Sequence, residues 1–162
     1  MKKEEIKQKI YDLYDECLDN LGQFHRKLEF FIIPAELVQI KIITDLDVSD
    51  RWVYIDNYGI LHTLEQHGNP ISEAKRGQVA IEKEDFFKML EVFLYSEEIV
   101  LIGKASHTQK PILQFVRQIE DKIYVLKEIR TITSKKKNKL SCLVLHTMYK
   151  IKASNRTAEV VD

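Results

Sequence analysis

Two imidazoles stand five residues apart in GILHTLEQHGNPISEAKRGQ, Gly59 to Gln78, a stretch that also holds an arginine and three of the chain's five glycines. Those residue types allow a metal site, an acid-base site or a helix end. The spacing argues against metal: at about 100° per residue, His62 and His67 lie roughly 140° apart around a helix. The zinc motif H-E-x-x-H sets its histidines four apart on one face, and Glu65 falls in the wrong place for it. A histidine in the last turn before Gly68 suits the negative end of the helix dipole, which accounts for His67 by itself. His62, beside Ile60 and Leu61, equally fits a hydrogen-bonded core residue.

The neighbouring residues widen the chemistry. KRGQ, residues 75 to 78, supplies the Arg76 guanidinium, a preferred bidentate partner for phosphate, followed by a flexible glycine. HTMYK, residues 146 to 150, reads as a last strand in which alternation sets His146, Met148 and Lys150 on one face and Thr147 and Tyr149 on the other. Histidine, arginine, threonine and tyrosine suffice for metal-free RNA cleavage by attack of the ribose 2′-hydroxyl on the adjacent phosphorus. One group removes a proton, one returns a proton and a cation steadies the phosphorane. Because the two histidines diverge, one is expected to act and the other to orient it or to serve the structure. His62 is the favoured actor, since His67 already has a helix-end explanation. Neither Cys17 nor Cys142 has a glycine-rich or electropositive setting that would activate a thiol, so both are expected as buried, reduced cysteines.

The elements that must position these residues fall into two groups. Residues 3 to 20 carry Ile6, Ile10, Leu13, Tyr14, Cys17 and Leu18 at helical spacing. KLEFFII (27 to 33) favours β structure up to Pro34; residues 35 to 46 then suit a helix, with strand as the rival because of their β-branched content. DRWVYID (50 to 56) alternates as a strand, 58 to 67 forms a short helix ending at Gly68, and 82 to 96 forms another with Phe86, Phe87, Leu90, Phe93 and Leu94 on one stripe. After that, EIVLIG, KPILQFVRQI, DKIYVLKEIRTI and KLSCLVLHTMYKI read as strands of an antiparallel meander, with the middle pair joined by a hairpin at 120 to 122. Helices followed by about four antiparallel strands make an α+β domain.

A chain of 162 residues with 44% hydrophobic content is long enough for one domain with a true core. No stretch approaches the roughly 18 apolar residues of a membrane span, and the N-terminus lacks an apolar segment behind its lysines, so a cytoplasmic protein is expected. The zero net charge hides an asymmetry: residues 1 to 103 carry 12 basic and 20 acidic side chains, residues 104 to 150 carry 11 and 3, giving −8 and +8. The basic part, including Lys135, Lys136, Lys137 and Lys139, either offers a face to a polyanion or neutralises the acidic part across the fold.

Taken together, ILHTLEQHG, RGQVAIEKEDF and the terminal TMYK after a strand meander resemble the phage-encoded nucleases grouped as barnase/EndoU/colicin D/RelE-like, over about residues 34 to 150. The resemblance implies a metal-independent endoribonuclease, acting on tRNA or another structured RNA, in a phage or toxin setting and needing no cofactor. It implies catalytic roles for His62, His67, Arg76 and Thr147, and substrate-binding roles for Gln78, Lys127, Arg130 and Tyr149. A cognate inhibitor, antitoxin or immunity protein is the partner expected beside RNA, with no membrane. The alternative is a catalytically inactive RNA- or protein-binding module of the same fold. Residues 1 to 22 would then be a helical addition to a core at 34 to 150, with 151 to 162 as a tail; Leu61 stands where relatives often carry a basic residue.

Overall fold

The computed structural model describes residues 3–20, 27–31, 52–104, 111–134 and 139–155, with side chains over 3–19, 55–102, 112–126 and 144–154. The first helix, α1 (Lys3–Asn20), follows the expected periodicity and buries Ile10, Leu13 and Cys17, while Leu18 at the end of its stripe stays exposed. β1 (Lys27–Phe31) pairs antiparallel with β2 (Trp52–Asp56). The segment expected as a helix or strand at 35 to 46 lies outside the described residues.

Helix α2 (Asn57–His67) begins without a loop after β2, because Asp56 both ends the strand and caps the helix, accepting from Gly59 N at 2.8 Å. A short helix α3 (Pro70–Lys75) follows, with Asn69 as its cap and proline at its first position. Helix α4 (Asp85–Leu94) carries the aromatic stripe. The four β segments expected next are all present: β3 (Glu98–Lys104), β4 (Pro111–Ile119), β5 (Lys122–Ser134) and a last stretch divided into β6 (Lys139–Val144) and β7 (Thr147–Lys152). They form the antiparallel sheet of an α+β fold, and β2 adds itself and β1 to it by pairing parallel with β6.

The divided last strand keeps one register. Arg130 pairs with Val144 in β6 and Lys127 with Thr147 in β7, so the two pieces continue a single line antiparallel to β5, while Leu145 and His146 take no part in either ladder. At that interruption α2 comes in: a Cβ on Gly59 would lie 2.4 Å from the Leu145 carbonyl oxygen, an approach only glycine allows. The outer side of the line is thus served by β2 next to β6, by α2 next to β7, and by Val79, whose N–H bonds the Lys150 carbonyl at 2.9 Å.

One hydrophobic core unites the helices with one sheet face. Ile10, Leu13 and Cys17 of α1, Ile60 of α2 and Phe86, Met89 and Phe93 of α4 pack with Phe115, Tyr124, Leu126 and Met148. The other face gathers Val116, Ile123, Val125 and Ile151, with Tyr149 and Ala153 against them, as the alternation of a strand requires. Cys17 is buried as expected, and its thiol donates to the Asn57 carbonyl at 3.9 Å, tying α1 to the start of α2. Burial pushes that thiol up to about 12, the opposite of an activated nucleophile. The Cys142 side chain lies outside the described residues.

Candidate active site

Helix α2 runs alongside β7 in the same direction, and both of its histidines meet the strand. The His62 ring stacks on His146 with centroids 4.4 Å apart, and the His67 ring lies 5.5 Å from that of Tyr149. The helix ends at His67. Gly68 caps it in right-handed backbone, its N–H bonding the Leu64 carbonyl.

His67 has a partner that the sequence did not announce. Its Nδ1 lies 3.1 Å from Oε2 of Glu73, a carboxylate with 0% exposure, and Oε1 of the same carboxylate lies 3.3 Å from Arg76 Nη2. The second contact is an ion pair without hydrogen-bond alignment, and Oε1 has no hydrogen-bond partner among the described residues. Arg76 also donates through Nη2 to the Gln66 carbonyl at 3.1 Å, and its side chain remains 46% exposed. A buried carboxylate on Nδ1 holds the imidazole's orientation, and an imidazole so held can exchange a proton through Nε2.

Glu73 is held there by the design of α3. Asn69 Oδ1 accepts from Ile71 N and Ser72 N at the start. At the end, Gly77 N bonds the Ala74 carbonyl and Gln78 N the Glu73 carbonyl, a Schellman motif with Gly77 at φ 73°. RGQ is therefore the end of a helix: the glycine is required by its left-handed backbone rather than supplied for flexibility. From there the chain turns along β7, where Val79 bonds Lys150, and Ile81 N returns to the His67 carbonyl at 2.8 Å.

Thr147 opens β7 on the Tyr149 face and is 6% exposed; its Oγ1 has no hydrogen-bond partner among the described residues. Gln78 Oε1 shares the condition. The structure therefore joins His67, Glu73, Arg76 and Tyr149 in one cluster, with Gln78 bonded to it through its backbone, and sets His62 in a second contact with His146 farther up the same seam. Lys127 pairs in register with Thr147, and Arg130 with Val144, but their side chains lie outside the described residues, as do Lys135, Lys136 and Lys137.

Behind β7, on the helix side, Asp85 is wholly buried and accepts from Tyr124 Oη at 2.6 Å, Lys150 Nζ at 2.8 Å and Glu82 N at 2.7 Å. Burial, reinforced by the bond to Asp85, holds the Tyr124 phenol well above its ordinary range. This network ties the start of α4 to the strand that carries Thr147 and Tyr149. Sequence reasoning passed over Glu73, Asp85 and His146 as site residues. The Asn-Pro helix start at 69 and 70 was the available signal for Glu73, since it places a short helix, and hence a carboxylate, immediately after His67.

Among the described residues, no group of three or more His, Cys, Asp or Glu is arranged to hold a metal ion, and no helix is long and apolar enough to cross a membrane. A family model described as phage-Barnase-EndoU-ColicinE5/D-RelE like nuclease3 matches residues 32–158. No curated protein and no solved structure matches the chain.

Proposed function

The chain belongs to the phage-Barnase-EndoU-ColicinE5/D-RelE like nuclease3 family, and on that premise we propose that it is a metal-independent endoribonuclease, with tRNA or another structured RNA as substrate. The observation that carries the reading is the pairing of His67 with buried Glu73, with Arg76 on the same carboxylate. In the proposed reaction the 2′-oxygen attacks the adjacent phosphorus, the bond to the 5′-oxygen breaks and a 2′,3′-cyclic phosphate is left. His67 Nε2 takes the 2′-hydroxyl proton, a solvent water protonates the departing 5′-oxygen, Arg76 steadies the phosphorane charge, and Thr147, Tyr149 and Gln78 are assigned to the substrate side of the site. We assign acid-base work to His67 ahead of His62 because only His67 has a carboxylate among its observed partners. Lys127 and Arg130 are proposed as phosphate contacts.

Incubation of the purified protein with total RNA in EDTA, followed by mapping of the cut ends, tests this directly. Cleavage is expected to persist and to leave cyclic phosphates. Activity lost in chelator and restored by a divalent ion would remove the reading. A second reading, an inactive RNA- or protein-binding module, is favoured by a pI near 7.0 where simple nucleic-acid binders exceed about 9; it predicts binding without cut ends. In either case a cognate inhibitor or immunity protein, a cytoplasmic setting and a single domain that includes α1 are part of the proposal.

A further inference from the structure

The His62 end of α2 has a different character from the His67 end. His62 and His146 stack at 4.4 Å with rings 25° from parallel, both rings partly exposed. Tyr58 stands four residues before His62, on the same face of the helix, and is 50% exposed. The start of α2 is fixed by the Asp56 cap and by the contact of Gly59 with Leu145, so these rings are presented from a rigid base. Stacked imidazoles with a half-exposed phenol one turn away offer π-faces, the surface on which unpaired bases of single-stranded RNA settle.

We propose that Tyr58, His62 and His146 form a stacking platform for an unpaired nucleobase of the substrate. The proposal rests on the ribonuclease reading above and assigns the two histidines of α2 separate tasks. Five residues of helix put His62 about 7.5 Å along the axis from His67, and the roughly 140° between them widens that separation. A base held at Tyr58 and His62 would therefore belong to a nucleotide a short way along the strand from the phosphate at His67 and Arg76. His62 acts here through its ring face and does not transfer a proton.

The test is equilibrium binding of a short single-stranded RNA whose 2′-hydroxyls are methylated, which forbids cleavage, carrying 2-aminopurine as the reporter base. Binding to the wild-type chain is expected to quench the reporter. Tyr58→Leu and His62→Leu should each weaken binding roughly 5- to 150-fold, the range of one base-aromatic stack, and abolish the quench. Tyr58→Phe and His62→Phe should bind within a few fold of wild type, because a ring is enough. On cleavable RNA the penalty of the leucine variants is expected in KM. Leucine variants that bind and quench like wild type would overturn the platform, as would a His62→Phe protein that loses as much affinity as His62→Leu. The two readings fail separately: a wild-type protein that binds and quenches the methylated strand yet leaves ordinary RNA uncut refutes the enzyme and keeps the platform.

Discussion

Replacing Glu73 by glutamine probes the proposed chemistry with little change of shape. The carboxylate offers two acceptor oxygens, one 3.1 Å from His67 Nδ1 and one 3.3 Å from Arg76 Nη2; a carboxamide offers one. Glutamine can serve the imidazole or the guanidinium, and its NH₂ repels whichever donor it faces. Removing one member of a fully buried ion pair costs about 3–5 kcal/mol. Arg76, however, is 46% exposed, so its guanidinium returns to water and the expected loss falls to about 1–2 kcal/mol. At roughly 2–4 °C per kcal/mol for a chain of this size, the melting temperature should drop by about 2–8 °C, leaving the protein folded at assay temperature. Positioned acid-base catalysis contributes about 10²–10⁴-fold. An imidazole deprived of its orienting partner should forfeit much of that, so a fall in kcat of at least about tenfold is expected, within that ceiling. KM should hold or fall, because Arg76 no longer divides its charge between Glu73 and phosphate. Single-turnover cleavage of a defined oligoribonucleotide with enzyme in excess measures the chemical step. A folded Glu73→Gln protein that cuts at the wild-type rate would refute the assignment of His67.

Gly59→Ala brings a methyl group 2.4 Å from the Leu145 carbonyl oxygen, so α2 must shift; a loss of about 1–3 kcal/mol is expected, and a thermal melt identical to wild type would deny the docking of α2 on the strand. Alkaline unfolding should report Cys17: the unfolded thiol releases its proton near 9.0 while the folded one keeps it to about 12, so stability falls as pH rises through that window, and Cys17→Ala should flatten the decline in urea titrations at pH 8 to 11. Replacing Lys135, Lys136, Lys137 and Lys139 with glutamine should reduce the slope of log affinity against log salt by about 0.7 for every phosphate that those lysines neutralise; an unchanged slope makes that run a solvated connection.

Elements with strong local signals were legible in the sequence. Periodicity located α1, α2 and α4, and β-rich composition between turn signals located β3, β4, β5 and the stretch that holds β6 and β7, which reads in the sequence as one strand. The pairing of β2 with β6 was not legible, because parallel pairing across more than eighty residues leaves no local trace. Most of the residues now gathered at the site were visible, but their grouping was not. A helical wheel gives the 140° between His62 and His67 and is silent on what stands on either side. Glu73 escaped because a lone glutamate on a six-residue helix looks like surface, and its 0% exposure follows only from the way α3 folds back on His67. Gly77 is necessary for a reason other than the flexibility its sequence context suggests, since its left-handed backbone ends a helix rather than loosening a loop.

The wide angle between the histidines, which argued against a shared metal, fits the surface they meet. A flat sheet face would engage one side of α2 and leave the other to solvent. The last strand is interrupted instead: Leu145 and His146 leave the ladder, Gly59 closes on the freed Leu145 carbonyl, and His146 becomes available to His62. Farther on, the chain after α3 bonds the strand at Lys150 and the helix end at His67, which brings His67 to Tyr149 on the opposite face from the helices. Because β6 and β7 keep one register on β5, the interruption costs no realignment of the sheet. It is the local consequence of seating α2 there. A variant that restored pairing at residues 145 and 146 would be expected to preserve the register on β5 and to lose the contact of His62 with His146, while His67 keeps Tyr149 through the bonds of Val79 and Ile81.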